Sequence, residues 1–186
     1  MRYLNESVLC KHTPLQLGLP WISHQAIDFL NDYLNPNHEV AEWGGGVSTL
    51  YFAARTRNVT CIESDKQWMF QISTEAERCG YKNIRLRLHP FDAHDARAFM
   101  TSDYLLSIRD QVFDVILIDG FEQDVPLRTL CFHVAEAQIR KGGIIIVDDS
   151  SRYPVLRTQH HARYVRTLRS TGPCRLGITS TDIFFY

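Results

Sequence analysis

Glu42, Gly44, Gly45 and Gly46 stand together in the run Glu39-Val40-Ala41-Glu42-Trp43-Gly44-Gly45-Gly46-Val47-Ser48-Thr49-Leu50, which places a carboxylate and three glycines between an apolar stretch and a helix-forming one. Residues without a Cβ let the backbone turn with positive φ and press directly against a ligand. Ser48 and Thr49 are candidate N-caps for the helix that follows, whose unpaired N–H groups would face the loop and favour anionic or carboxylate groups. The chemistry implied is binding of a nucleotide-type cofactor. About twenty residues on, Glu63, followed by Ser64, closes the next apolar run, where an acidic side chain can accept hydrogen bonds from both hydroxyls of a ribose. Asp92 with Ala93, Asp119, and the pair Asp148 and Asp149 follow later apolar runs in the same way.

These residues need a scaffold that brings the ends of several strands to one edge. Strand candidates fall at residues 39–43, 59–63, 84–89, 113–119 and 143–148. Helical patterns occupy 23–34, 48–55, 66–79, 95–106, 127–140 and 153–169. Strands alternating with helices imply parallel pairing. The runs Val-Ile-Leu-Ile at 115–118 and Ile-Ile-Ile-Val at 144–147 are apolar on both faces, as central strands covered by helices on each side must be. The sheet is therefore open and doubly wound. Residues 174–178 and 182–186 are separated by three residues, too few for a parallel crossover, so the chain is expected to end in an antiparallel hairpin. In such sheets ligands bind beyond the carboxyl ends of the strands, where all of the carboxylates above would lie.

The 186 residues suit one α/β domain, and 45% hydrophobic with 22% charged residues is the balance of an ordinary globular chain. A formal net charge of -1 gives no global attraction to nucleic acid or acidic membranes. Basic residues do cluster at Arg152, Arg157, His160, His161, Arg163, Arg166 and Arg169, read as the solvated face of an amphipathic helix. Neighbours on a helix point in different directions, so His160 and His161 are surface histidines rather than a metal pair. Cys10, Cys61, Cys79, Cys131 and Cys174 are odd in number and contain no C-x-x-C pair, so they read as reduced thiols. With no secretory signal pattern and no membrane-length apolar run, the expectation is a cytoplasmic protein with no membrane association. Trp21 and Trp43 read as packing residues, with Trp43 also able to border the cofactor loop.

A dinucleotide fingerprint would need glycine at Thr49, and no lysine follows the loop as a nucleoside triphosphate site requires. Instead, Glu42-Trp43-Gly44-Gly45-Gly46, the acidic strand end at Glu63, Phe-Asp-Val-Ile-Leu-Ile-Asp at 113–119, Lys141-Gly142-Gly143 and the closing hairpin together resemble the class I S-adenosylmethionine-dependent methyltransferases. The resemblance implies a doubly wound, mostly parallel seven-stranded sheet with a C-terminal antiparallel hairpin. It implies a Rossmann-like cofactor-binding domain over 39–186, behind an N-terminal helical or lid segment at 1–38. Carried over by position, Glu42, Gly44 and Gly46 would line the methionine and ribose region of S-adenosyl-L-methionine, with Trp43, Gly45, Ser48 and Thr49 as further cofactor-binding residues of the same loop. Glu63 and Ser64 would hold the ribose, Asp92 and Ala93 would approach the adenine, and Asp119 would lie near the transferable methyl.

Methyl transfer asks the protein mainly to align a nucleophile and exclude water. Where a base is needed, Asp119, Asp148, Asp149, His133 and Tyr153 are candidates. The three aspartates are similar to the acidic set by which catechol-type O-methyltransferases hold a divalent cation such as magnesium. Asp149 stands where that group has asparagine, however, and no lysine follows Asp119, so no metal ligand is assigned. The expected partner is an acceptor offering oxygen or nitrogen, a small molecule rather than nucleic acid. Residues 15–22, or a second subunit in a homo-oligomer, are expected to enclose it. A binding module without turnover and an NAD-dependent oxidoreductase are the rival readings.

Overall fold

In the computed structural model the described residues are 17–186. They form helix α1 (His24–Tyr33), strand β1 (Glu39–Trp43), α2 (Val47–Ala53), β2 (Asn58–Glu63), α3 (Lys66–Arg78), β3 (Ile84–Leu88), the short turns α4 (Ala96–Phe99) and α5 (Asp103–Leu106), β4 (Phe113–Ile118), α6 (Leu127–Glu136), β5 (Ile139–Asp148), two 3-10 turns, β6 (Tyr164–Ser170) and β7 (Thr179–Phe185). The strands make one seven-stranded sheet in the order β3-β2-β1-β4-β5-β7-β6. The first five pair in parallel and β7 runs antiparallel to both β5 and β6. The doubly wound sheet with a terminal antiparallel hairpin is therefore as expected.

Strand alternation sends side chains to two cores. Val40, Val59, Val115, Leu117, Ile144, Ile146 and Ile183 pack under α1 and α2, whereas Ala41, Trp43, Ile62, Ile116, Ile118, Ile145 and Phe184 pack against α5 and α6. Ser23 caps α1, its hydroxyl accepting from the Ala26 N–H.

The C-terminal third departs from expectation. No helix spans 153–169: residues 150–152 and 154–157 are 3-10 turns, and Tyr164 to Ser170 form β6, in register with β7 from Tyr164 opposite Phe185 to Ser170 opposite Thr179. The hairpin exists, but its first arm is β6 rather than 174–178, which form part of the connecting loop. The basic residues are consequently not one helical face. Arg157 pairs with Asp182 at 2.7 Å, Arg152 lies 3.6 Å from Glu122, and Arg166 covers the Phe29 ring. His160 is half-buried against Phe184, and of the two only His161 is a surface histidine, 3.0 Å from Glu136. Two further boundaries move. The helix expected over 95–106 breaks where Ser102 caps α5, and the helix expected to reach 140 stops at Glu136 because Ile139 already pairs with Phe113 in the sheet.

Candidate active site

The glycine loop leaves the end of β1 for α2. Only Gly44 of the three has positive φ, at 86°, and a Cβ there would stand 2.6 Å from the Asp119 carbonyl oxygen and from Gly120. A Cβ on Gly45 would meet the Cys61 sulfur at 2.5 Å. Both glycines are thus demanded by the protein's own packing. Gly46 differs: its backbone is extended, it is the N-cap of α2, and the nearest atom to an added Cβ is in the Trp68 ring at 3.8 Å. The open side of the loop is therefore at Gly46. Ser48 and Thr49 are not N-caps but first-turn residues. The Thr49 oxygen accepts from the Gly46 N–H at 3.0 Å, and the Ser48 hydroxyl donates to Glu42 Oε2 at 2.7 Å.

Glu42 is fully buried, and its Oε1 has no hydrogen-bond partner among the described residues. Burial raises its pKa to about 7, against the lowering effect of the Thr49 and Ser48 hydroxyls. Glu63 is also buried. Its Oε2 accepts from the Gly45 N–H at 3.0 Å, and its Oε1 accepts from the N–H groups of Ser64 at 2.7 Å and Asp65 at 2.8 Å. This carboxylate ties the end of β2 to the glycine loop.

Trp43 does not border the loop's open side. It is wholly buried, with Nε1 donating to the Tyr104 carbonyl. Trp68, which the sequence reading missed, takes that place: its Nε1 donates to the Gly45 carbonyl at 2.6 Å. Its position was in principle readable, since Asp65 caps α3 by accepting from the Trp68 N–H and so fixes Trp68 in the first turn beyond Glu63. Trp21, expected as packing, is 52% exposed.

Beyond β3, Asp92 is exposed and accepts from the His94 N–H, while the Ala93 carbonyl accepts from Val125 N–H at 3.2 Å. His94 Nδ1 meets Asp124 Oδ2 at 2.5 Å. The loops after β3 and β4 are thereby joined across the ends of β2 and β1. A hollow of about 320 Å³ lies beside them, lined by Leu88, His89, Phe91, Asp92, Phe99 and Asp103 among others.

Beyond β4 and β5 the three aspartates meet two arginines, Arg128 and Arg175, that the sequence reading overlooked. Arg128, buried in the first turn of α6, makes an ion pair with Asp119 at 2.9 Å and donates to the carbonyls of Gly120 at 3.0 Å and Asp148 at 2.8 Å. Asp148 is buried and accepts from the Thr181 hydroxyl, and Asp149, at φ 51°, accepts from Arg175 at 2.9 Å and Thr179 at 3.1 Å. Burial raises Asp119 and Asp148 above the usual carboxylate range. Mutual repulsion among the aspartates adds to this, and Arg128 opposes it. Arginines rather than open oxygens face these carboxylates, and among the described residues no group of three or more His, Cys, Asp or Glu side chains could hold a metal ion. The residues do not fit magnesium.

Two other base candidates sit poorly. Burial pushes the Tyr153 phenol to about 12, and its hydroxyl donates to Glu122. His133 is exposed in the last turn of α6, at the end away from the aspartates.

No protein-family model and no curated protein matches the sequence. Solved structures match in fold. A Streptococcus mutans protein in complex with S-adenosylhomocysteine has a TM-score of 0.61 at 13% identity, with 95% of this chain and 100% of that chain covered. A precorrin-6y methyltransferase from Geobacter metallireducens has a TM-score of 0.64 at 10% identity, with 87% of each chain covered. A Thermus thermophilus 16S rRNA methyltransferase in complex with AdoMet and guanosine has a TM-score of 0.62 at 16% identity, covering 87% of this chain and 42% of that one. The fold is that of the class I methyltransferases.

Proposed function

We propose that this chain binds S-adenosyl-L-methionine and transfers its methyl group to an oxygen or nitrogen of an acceptor. The observation that carries the reading is the unsatisfied Oε1 of buried Glu42 beneath a glycine loop whose open side is at Gly46, because a buried polar atom without a partner marks a place where a ligand or ordered water completes the structure. The group expected there fits these residues: Glu42, Gly46 and Trp68 would line its amino-acid end, Glu63 with Ser64 its ribose, and Asp92 with Ala93 its adenine.

The cofactor, when bound, supplies an electrophilic methyl on a positively charged sulfur. The chain's part is to orient and to handle a proton. Asp119 is the base candidate best supported, being partly exposed and raised towards the range where a carboxyl exchanges its proton near neutrality. Asp148, its carboxyl engaged by Thr181 and Arg175, would with Arg128 hold Asp119 in place. Of the segment 15–22 expected to cover the acceptor, Leu17 and Gly18 lie beside Ala54, Arg55, Arg78 and Tyr81, at the ends of α2 and α3 away from the glycine loop. Pro14, Leu15 and Gln16 lie outside the described residues, as do Cys10 and the rest of 1–16. Among the described residues no helix is long and apolar enough to cross a membrane.

The engagement of the aspartates by Arg128 and Arg175 keeps one rival in view, a module that binds the cofactor without turnover. Isothermal titration with S-adenosylhomocysteine tests the pocket first, with NAD as the control ligand. Micromolar binding by the wild type, lost in Glu63→Ala, is the expected result, followed by an acceptor screen in which Asp119→Asn abolishes transfer but keeps binding. Absence of binding to S-adenosylhomocysteine, or equal binding of NAD, would overturn the proposal.

A further inference from the structure

We infer that the methyl acceptor is a neutral hydroxyl carried on an apolar small molecule, with Arg175 holding the hydroxyl oxygen and Phe121, Leu176 and Ile178 receiving the apolar body. The inference rests on the methyl-transfer reading and narrows it from oxygen or nitrogen to oxygen. The carboxyl edge of the sheet supplies both halves of such a site. Its polar floor is a continuous chain of contacts. Arg128 joins the Asp119 carboxylate at 2.9 Å to the Asp148 carbonyl at 2.8 Å, and Arg175 joins the Asp148 carboxyl at 3.5 Å to Asp149 at 2.9 Å. Asp119, Asp149 and Arg175 are each partly open to solvent.

Around that floor the loops expose large apolar side chains. Phe121, two residues beyond Asp119, is 72% exposed, while Leu176, next to Arg175, and Ile178, next to Thr179, are 79% and 72% exposed. The loops that carry them are stitched to the one after β5. Glu122 accepts from the Tyr153 hydroxyl at 3.1 Å, Ser180 accepts from the Ser151 N–H at 2.9 Å, and Thr179 donates to Asp149 at 3.1 Å. Large apolar side chains held out to water beside one polar floor form a binding rim rather than the scattered exposure of an ordinary surface. Each arginine at this edge is already paired with a carboxylate, which leaves none among the described residues free to meet the phosphate backbone of a nucleic acid.

Arg175 selects oxygen over nitrogen. Its terminal nitrogens engage Thr179, Asp148 and Asp149, while its Nε–H has no partner among the described residues. A guanidinium donates hydrogen bonds and never accepts them. A hydroxyl oxygen has two lone pairs, so it can accept from Arg175 with one and attack the methyl carbon with the other. An amine nitrogen has a single lone pair, and a hydrogen bond to it blocks the attack. Because Asp149 already balances the guanidinium charge, a neutral head fits better than an anionic one. In the transfer the hydroxyl oxygen forms the new O–C bond, the methyl–sulfur bond breaks with its electron pair left on sulfur, and the hydroxyl proton passes to the Asp119 carboxylate.

The test is calorimetric titration of the full chain, saturated with S-adenosylhomocysteine, with naphthol and with naphthylamine, an amine of the same shape that is uncharged at neutral pH. Naphthol should bind, and naphthylamine should bind more weakly by roughly tenfold, as loss of a hydrogen bond to a charged donor requires. The double variant Leu176→Glu, Ile178→Glu should keep the wild-type melting temperature, because both side chains are exposed, and should weaken naphthol by roughly tenfold as its apolar contacts go. Arg175→Met should erase the preference for naphthol over naphthylamine, an effect that a loosened loop alone would not give. The comparison of the two probes on the wild type stands even where a variant fails to fold. Equal binding of both probes, no binding of naphthol to the saturated chain, or naphthol binding untouched by the double variant would overturn the inference while leaving the cofactor reading intact. Binding of a short single-stranded RNA in place of naphthol, or self-association of the chain that the double variant abolishes, would overturn it in favour of another occupant. Failure of S-adenosylhomocysteine to bind at all would sink the two readings together.

Discussion

At the scale of single residues the site consists of charges held where water cannot reach them. Glu42 is the clearest case, because its folded pKa of about 7 lies above the ordinary 4.5. The folded chain therefore binds more protons than the unfolded one between these values, and stability falls as pH rises through that window. At ~1.4 kcal/mol per unit the shift corresponds to about 3 kcal/mol. Glu42→Gln, which keeps the shape and the Ser48 contact without the charge, should raise the unfolding free energy above pH 7 by up to about 3 kcal/mol and change little near pH 4.5, as urea titrations at the two pH values would show. Arg128 predicts the opposite: Arg128→Ala removes the ion pair of Asp119 and the donor to the Asp148 carbonyl, and should cost about 3–5 kcal/mol at neutral pH. Glu63 was legible because its distance from the glycines and its place at a strand end are both linear features. Arg128 was not, since Leu-Arg-Thr at a helix start carries no sign of the three backbone and side-chain groups from β4 and β5 that surround it.

At the scale of elements, the glycine loop separates two roles that a sequence shows as one triplet. Gly44 is required by the approach of the β1 and β4 ends and by its positive φ, whereas Gly46 is extended and open. Gly44→Ala should therefore lower thermal stability by several degrees or fail to fold, the penalty for a clash and a left-handed backbone together. Gly46→Ala should melt within a few degrees of wild type and still lose affinity for S-adenosylhomocysteine, because its added methyl meets the ligand side rather than the protein. Calorimetry and melting curves on the pair would separate packing glycines from binding glycines. The β-α alternation was legible through uninterrupted apolar runs, which only a strand covered on both faces needs. β6 was not: arginines at 163, 166 and 169 mimic a helical repeat, and the strand is set instead by its pairing with β7, including the Tyr164 ring stacked on Phe185 at 4.4 Å. Partner strands fix such a segment, and a partner far along the chain is invisible to local periodicity.

At the scale of the whole molecule, a net charge of -1 conceals an uneven arrangement in which carboxyls cluster at the carboxyl edge of the central strands. Burial raises Glu42, Asp119 and Asp148 alike. Each binds protons more tightly when folded, so each contributes stability that declines as pH rises from its unfolded value through its folded one. His94 is raised by its hydrogen bond and ion pair with Asp124, so its contribution is present below its unfolded pKa and lost as pH climbs through the folded value. His38, lowered by burial, works the other way below about pH 6.5. Two buried acids and a partly exposed one outweigh one half-exposed histidine, so the free protein should melt at a higher temperature near pH 5.5 than near pH 8. A ligand that binds only the folded chain stabilises it in proportion to the logarithm of its concentration over its dissociation constant. A ligand carrying positive charge binds better beside ionised acids than beside protonated ones, so that constant falls as pH rises. The increase in melting temperature caused by a fixed concentration of S-adenosylmethionine should consequently be larger at pH 8 than at pH 5.5, and the gap between the two pH values should narrow when ligand is present. Equal ligand-induced shifts at both pH values would mean that the buried acids shape stability without taking part in binding.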